Sequence, residues 1–286
     1  MIFCKEIYIL EKNNILNPLI NSEIKYSNPY NFVNSFKGIH PSFKEGQQDV
    51  MEFMRFLFED LSKENNLFKI IPPHILIDNC FKDKSYVYNE YRKNLKTKEN
   101  SFISNKFYIL VINTFICSCG YESYNVGTIL DIPLTLPIKE KAIDLTTLIK
   151  VNFEITYISW KGNCIKCKKK NKNHYKQISF GNICDYLFIS IQRNTKNLTD
   201  LNKTKVSFEN ILDLKDVIEA EIFTGTTQFE LIVIVDHLGN IDYGLYYSYI
   251  KLDNNWVKFD DIIIEIEEEL DMKSSKVCVL LYKKKL

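Results

Sequence analysis

The sequence predicts an α+β fold, on three observations. One amphipathic helix stands clear in the first hundred residues. β-Branched and aromatic runs dominate from about residue 107 onward. The two kinds of signal do not alternate. Regular alternation would indicate a doubly wound parallel sheet, whereas segregated runs indicate α+β.

The helix runs from Gln48 to Lys63. It places Val50, Phe53, Met54, Leu57, Phe58 and Leu61 on one face, with Arg55, Glu59 and Asp60 largely on the other. Gly46 stands just outside it, and Asp49 suits the positive end of the helix dipole in the first turn. The region Lys82 to Asn105 is polar and charged, and is expected to be loop or weak structure. Phe107 to Ile116 reads as the first strand. Ile129 to Leu136 follows, with Leu130, Ile132, Leu134 and Leu136 alternating onto one face. Later strands are expected at Tyr186–Gln192, Phe229–Asp236, Gly244–Leu252, Trp256–Phe259 and Val277–Tyr282. No internal repeat or low-complexity linker divides the chain.

With 286 residues, 45% of them hydrophobic, the chain can build a substantial core. Its 37 basic and 36 acidic residues nearly cancel, which argues against a general electrostatic partner such as nucleic acid or an anionic membrane. The basic stretch Lys166 to Lys176 has one interleaved aromatic, Tyr175. It is expected to be a solvated hairpin tip with His174 exposed. Lys5 and Glu6 interrupt the mildly apolar Met1–Leu10, so it does not read as a signal segment. No apolar run approaches the roughly 18 residues of a membrane span. A cytoplasmic or nuclear location is expected, without secretion.

Eight cysteines in this length do not make a disulfide scaffold. Four of them pair closely: Cys117 and Cys119 as C-x-C, Cys164 and Cys167 as C-x-x-C, each beside strand-like sequence. Four thiolates would give structural Zn²⁺ a closed tetrahedral site, with no open position for water. The alternative is four unrelated core or loop thiols. Cys4, Cys80, Cys184 and Cys278 lack such a pattern and are expected in the core.

Four segments in order resemble the ubiquitin-specific proteases. Gly46-Gln47-Gln48-Asp49-Val50-Met51-Glu52-Phe53 is similar to that family's Q-Q-D-A-x-E-F box. The two cysteine pairs come next, with Leu130-Asp131-Ile132-Pro133-Leu134 between them. Tyr186 to Arg193 is similar to the L-x-I-x-L-x-R-F strand, although Asn194 stands where the family has Phe. Phe229 to Gly239, Gly244-Leu245-Tyr246-Tyr247-Ser248-Tyr249 and Trp256 to Asp261 resemble Y-x-L-x-A-V-x-x-H-x-G, G-H-Y-x-A-Y and W-x-x-F-D-D. The resemblance covers about Tyr30 to the C-terminus. It implies a papain-like cysteine protease fold shaped as a hand, lacking the N-terminal cysteine box. A helical thumb would span about 1–105, zinc-ribbon fingers about 106–185 and a β-rich palm about 186–286, all in one catalytic-type domain.

That family cleaves after the C-terminal glycine of ubiquitin with a Cys–His–Asp/Asn triad, in which the imidazole activates the thiol and the acid orients the ring. The resemblance places Asp260 at the orienting acid and Asp261 at the acid that often follows. His237 falls on a histidine beside the cleft that is not the base. Leu245 occupies the base position, eight residues after His237 as in compact family members. The nucleophile box G-L-x-N-x-G-N-T-C-Y does not occur, and Met1–Leu10 is similar to the helix that follows it, which puts Cys4 past the nucleophile position. Gln47, Asp49 and Tyr246 match positions that line the channel for the extended ubiquitin tail. The expectation is a catalytically inactive module that binds ubiquitin or another protein. A scaffold that no longer binds ubiquitin is the second reading, and a fragment of an active enzyme with its cysteine upstream of Met1 is the third.

Overall fold

The computed structural model describes residues 30–43, 46, 48–68, 81–159, 162–170, 174–194, 201–240, 243–253, 255–261 and 263–285. Among the described residues, four helices come first: α1 (Tyr30–Ile39), α2 (Val50–Asn65), α3 (Lys84–Lys98) and α4 (Phe102–Phe107). Strands then dominate: β1 (Ile109–Cys117), β2 (Glu122–Ile129), β3 (Asp131–Thr135) and β4 (Ala142–Asp144), followed by α5 (Leu145–Phe153). After it come β5 (Thr156–Ile158), β6 (His174–Asn182), β7 (Tyr186–Gln192), β8 (Lys205–Ser207), β9 (Ile211–Asp213), β10 (Gln228–Gly239), β11 (Gly244–Leu252), β12 (Asn255–Asp260), β13 (Ile263–Glu267), β14 (Lys273–Ser274) and β15 (Val277–Lys284). The order is α+β, as the sequence indicates. No helix among the described residues is long and apolar enough to cross a membrane.

The largest sheet runs β13-β12-β11-β10-β15-β7-β3, with β9 also on β10. Its pairs are antiparallel apart from β3 on β7. Strand alternation divides its side chains between two cores. Leu187, Ile189 and Ile191 of β7, with Leu280 and Tyr282 of β15, pack with α5 on one face. Phe188 and Val279, one residue out of step, pack with Met51, Phe58 and Leu61 of α2 on the other. Ile132, Leu134 and Leu136 join the first core. Leu130, expected with them, joins the α2 core instead. It lies in a bend before β3, so the alternation begins only at Asp131.

Asp49 is the N-cap of α2, one residue before its first turn, and its Oδ1 accepts from the N–H groups of Met51 and Glu52. Arg55, on the helix face opposite the apolar stripe, reaches the large sheet. Its Nε and Nη2 donate to Asp131 Oδ1 and Oδ2 at 3.0 and 2.9 Å. Ser190 Oγ on β7 donates to Asp131 Oδ2 at 2.5 Å. The planar guanidinium and a buried carboxylate thus tie helix to sheet bidentately. Asp131→Ala strands the serine hydroxyl and the half-exposed arginine. It is expected to cost about 2 kcal/mol, read as a lower urea midpoint at unchanged slope.

A second sheet, β2-β1-β6-β5, stands on the region expected to be loop. Lys82–Asn105 is in fact mostly helix. Asp83 caps α3 through Tyr86 N–H, and Ser101 and Ser104 form a reciprocal capping box on α4. The buried stripe of α3 is short and rich in tyrosine. Val87, Tyr88, Tyr91 and Leu95 pack on Leu110, Ile112 and Val126, so the apolar period is hidden among lysines and asparagines. Tyr88 lies against Gly181 of β6, where a Cβ would stand 2.3 Å from its ring, and its hydroxyl donates to Gly181 O at 3.1 Å. A small third sheet, β14-β8-β4, completes the fold.

Candidate functional site: a cleft and a four-cysteine cluster

Between the start of α2 and the large sheet lies a cleft of about 350 Å³. Gln48, Asp49 and Arg55 line it from the helix side, and Ser190, Arg193, His237, Tyr246 and Cys278 from the sheet. A more apolar hollow of about 490 Å³, walled by Phe32, Phe36, Phe43 and Phe53, shares Gln48, Asp49, Val50 and Tyr246 with it. Tyr246 bridges the two sides, because its hydroxyl donates to Gln48 O at 3.1 Å.

The β10–β11 hairpin positions the cleft's sheet side. Its register sets His237 opposite Tyr246 and Leu238 opposite Leu245. The His237 and Tyr246 rings lie 4.8 Å apart. Partial burial holds the His237 imidazole below its ordinary pKa. Gly244 lets the hairpin close on this ring, since a Cβ there would stand 2.2 Å from His237 Nε2. Gly244 and Tyr246 line the apolar hollow, but Leu245 between them does not. Strand alternation turns Leu245 to the Leu238 face, where it is 57% exposed. Asp260, at the end of β12, lies 3.3 Å from Lys258 Nζ, which also sits 5.3 Å from the centroid of the Tyr247 ring. Gln47 lies outside the described residues, as do Cys4 and Cys80.

A buried polar group lies near the cleft. Arg193 donates to the carbonyls of Val277, Asn202 and Thr204 at 2.7, 2.9 and 3.0 Å. Burial pushes its pKa down to about 10. Asp236 Oδ2 accepts from Tyr247 Oη and Ser274 Oγ at 3.2 and 3.3 Å, while Oδ1 is buried without a hydrogen-bond partner among the described residues. Burial raises the Asp236 carboxyl above its ordinary value despite Arg193 and Lys276. A carboxyl raised by folding stabilises the fold below its unfolded pKa, and that contribution is lost as pH rises through the folded value. Asp236→Asn is therefore expected to raise stability by about 1 kcal/mol at pH 7 and to lose that advantage near pH 3. Urea melts at the two pH values read the difference, and an equal gain at both would disprove the charge argument.

At the far end of the second sheet, the sulfurs of Cys117, Cys119, Cys164 and Cys167 all lie within 4.8 Å of one another. Cys119 and Cys164 Sγ are 3.7 Å apart. A tetrahedral ion with metal–sulfur bonds of about 2.3 Å places its sulfurs about 3.8 Å apart, so the donor set fits such an ion. Two tight turns deliver the pairs. Gly120 N–H closes the first on Cys117 O at 2.8 Å, and Lys168 N–H closes the second on Cys164 O at 2.9 Å. Gly120 and Lys168 take φ of 79° and 60°, the left-handed region. Backbone N–H groups of Cys167 and Lys166 hold the Cys164 thiol down, whereas burial pushes Cys117 up. His174, expected to be exposed, is buried opposite Cys117 in the β1–β6 register. Its neighbouring lysines hide its inward position on β6. Cys184 and Cys278 are half-buried, and burial pushes Cys278 up to about 12.

The family model described as "Ubiquitin carboxyl-terminal hydrolase" matches residues 7–282. The chain belongs to this family. The rat and human proteins named "Ubiquitin carboxyl-terminal hydrolase 21" are 23% and 24% identical to it over 280 residues, covering 89% of this chain and 49% of theirs. The chain thus spans about half the length of the curated relatives it matches. A solved structure titled "Structure of the SAGA Ubp8/Sgf11/Sus1/Sgf73 DUB module bound to ubiquitin aldehyde" matches with a TM-score of 0.66 at 17% identity, covering 90% of this chain and 54% of that one. The fold is that of the ubiquitin-specific protease hand. Arg55, Ser190 and Arg193 line the cleft without having been singled out as site residues. Asp131 and Arg193 sit inside the Leu130–Leu134 and Tyr186–Arg193 segments, which carry the signal for them.

Proposed function

We propose that this ubiquitin-specific-protease-like domain binds the extended tail of ubiquitin, or of a protein like it, without cleaving it. The observation that carries the proposal is Leu245, which would fill the base position of a loop whose Gly244, Tyr246 and Tyr249 match the family's G-H-Y-x-A-Y. An isobutyl group neither takes nor holds a proton. Asp260 would be the retained orienting acid, with Lys258 as its ionic partner where the family has an imidazole. The cleft itself supports a binding role. Asp49 uses Oδ1 alone for its cap bonds, and the Tyr246 ring, tied to Gln48 O, stands beside an apolar hollow. An extended tail laid there would be held by main-chain hydrogen bonds, with side chains in alternate pockets. Gln47 is assigned to the same channel. The thumb, fingers and palm boundaries near residues 105 and 185 are part of this reading, as is zinc, held by Cys117, Cys119, Cys164 and Cys167 with no open position for water.

Titration of labelled ubiquitin into the chain, with Asp49→Lys and Tyr246→Ala as comparison variants, tests the binding role. Saturable binding weakened by both substitutions is the expected result. No binding up to millimolar ubiquitin would favour a scaffold that has lost it. A covalent adduct with an electrophilic ubiquitin probe would instead mean an active enzyme.

A further inference from the structure

We propose that β13 is a docking edge for an extended, lysine- or arginine-rich peptide, which would add as a further strand to the large sheet. β13 ends the sheet and, among the described residues, pairs only with β12. In an antiparallel ladder, alternate residues of such an edge turn their N–H and C=O groups outward. Folded proteins commonly shorten, charge or cover such an edge because it recruits strands. Here Ile263 and Ile266 remain 51% and 67% exposed along it. The strands behind it supply no fully buried residue, since β11, β12 and β13 are half-buried or exposed throughout. An added strand would therefore cover apolar surface as well as pair backbone groups.

Charge identifies the occupant. From Asp260 to Asp271 the chain carries seven carboxylates and no lysine or arginine, although the whole chain has a net charge of +1. Lys258 on β12 offsets part of this, standing 3.3 Å from Asp260 and 4.0 Å from Glu265. Glu268 and Glu269 continue the acidic run beyond the strand and are exposed. A partner strand alternating basic and β-branched residues would match the edge. Its cations would meet the glutamates and its apolar residues would cover Ile266. Because β13 begins beside Asp260, such a strand would run alongside the candidate site. The inference does not depend on whether ubiquitin is bound.

The test uses a fluorescent ten-residue peptide alternating lysine and valine, the same peptide with glutamate for lysine, and a glycine–lysine peptide of equal charge. Binding of the lysine–valine peptide alone is expected, weakening about tenfold between 50 and 300 mM salt. New amide-exchange protection should appear at residues 263–267. The surface variant Glu267→Lys/Glu268→Lys/Glu269→Lys, which leaves the inner ladder intact, should lose about tenfold or more in affinity. Equal binding of the glycine–lysine peptide would reduce the effect to bulk charge and overturn the proposal. So would unchanged affinity in the triple variant. Dimerisation of that variant without peptide binding by the native chain would show that the glutamates only keep the edge from pairing with itself.

Discussion

A fluorogenic amide at the C-terminus of ubiquitin is expected to survive incubation with the 286-residue chain. Loss of the base or nucleophile of a triad costs about 10⁶-fold in turnover, on the order of 8 kcal/mol of barrier, and the two losses do not add. Residue 245 is a leucine and the family's cysteine box does not occur between Met1 and Leu286. Leu245→His alone is therefore expected to stay at background. His237 cannot stand in for the base merely by proximity. Burial lowers its pKa, but Gly244 and Tyr246 pack against its ring, so moving it means reopening the hairpin. A measurable gain of hydrolysis in Leu245→His, above that of a catalytically empty control, would refute this account of the cleft.

The second large effect concerns the cysteine cluster. Four convergent thiols cannot all ionise at close range without a cation, and structural zinc contributes roughly 10–16 kcal/mol to small domains that depend on it. Purified chain is expected to carry about one zinc, by elemental analysis. A strong chelator, or Cys164→Ser, should release it and melt the tips of β1, β2 and β6. Amide exchange should then rise around Ile116–Gly120 and Cys164–Lys168, while the α2 core stays protected longer, because Met51, Phe58 and Val279 lie far along the chain in a separate cluster. A metal-free chain with unchanged melting and exchange would show four thiols that merely sit together.

Much of this molecule was legible in the sequence. The strands Tyr186–Gln192 and Gly244–Leu252 coincide with their expected limits, because both carry dense β-branched and aromatic residues bounded by turn signals. The cysteine pairs converge because the first lies at the end of β1 and the second precedes β6, two strands that pair with Cys117 opposite His174. The misreadings share a different cause, which is that tertiary partners outweighed local composition. α3 buries only a thin tyrosine-containing stripe in a run of lysines, so its helical period was weak until β1 and β2 were placed against it. The Arg55 pair with Asp131 is not legible in the helix period, because its partner lies far along the chain. His174 looked exposed because its neighbours are basic, whereas the β1 register turns it inward. The bend at Leu130 cost one position of alternation, which was enough to send that side chain to the opposite core.

Tyr88 and Gly181 carry one more consequence. The sheet bearing the cysteines is a cantilever clamped at its root, where a phenol ring fills the notch left by a missing side chain and its hydroxyl fastens the neighbouring carbonyl. A beam held in this way is stiff where it leaves the body and most compliant at its free end. That joint shares the root with Ile109, Val111 and Phe180, which anchor the same strands in the main core.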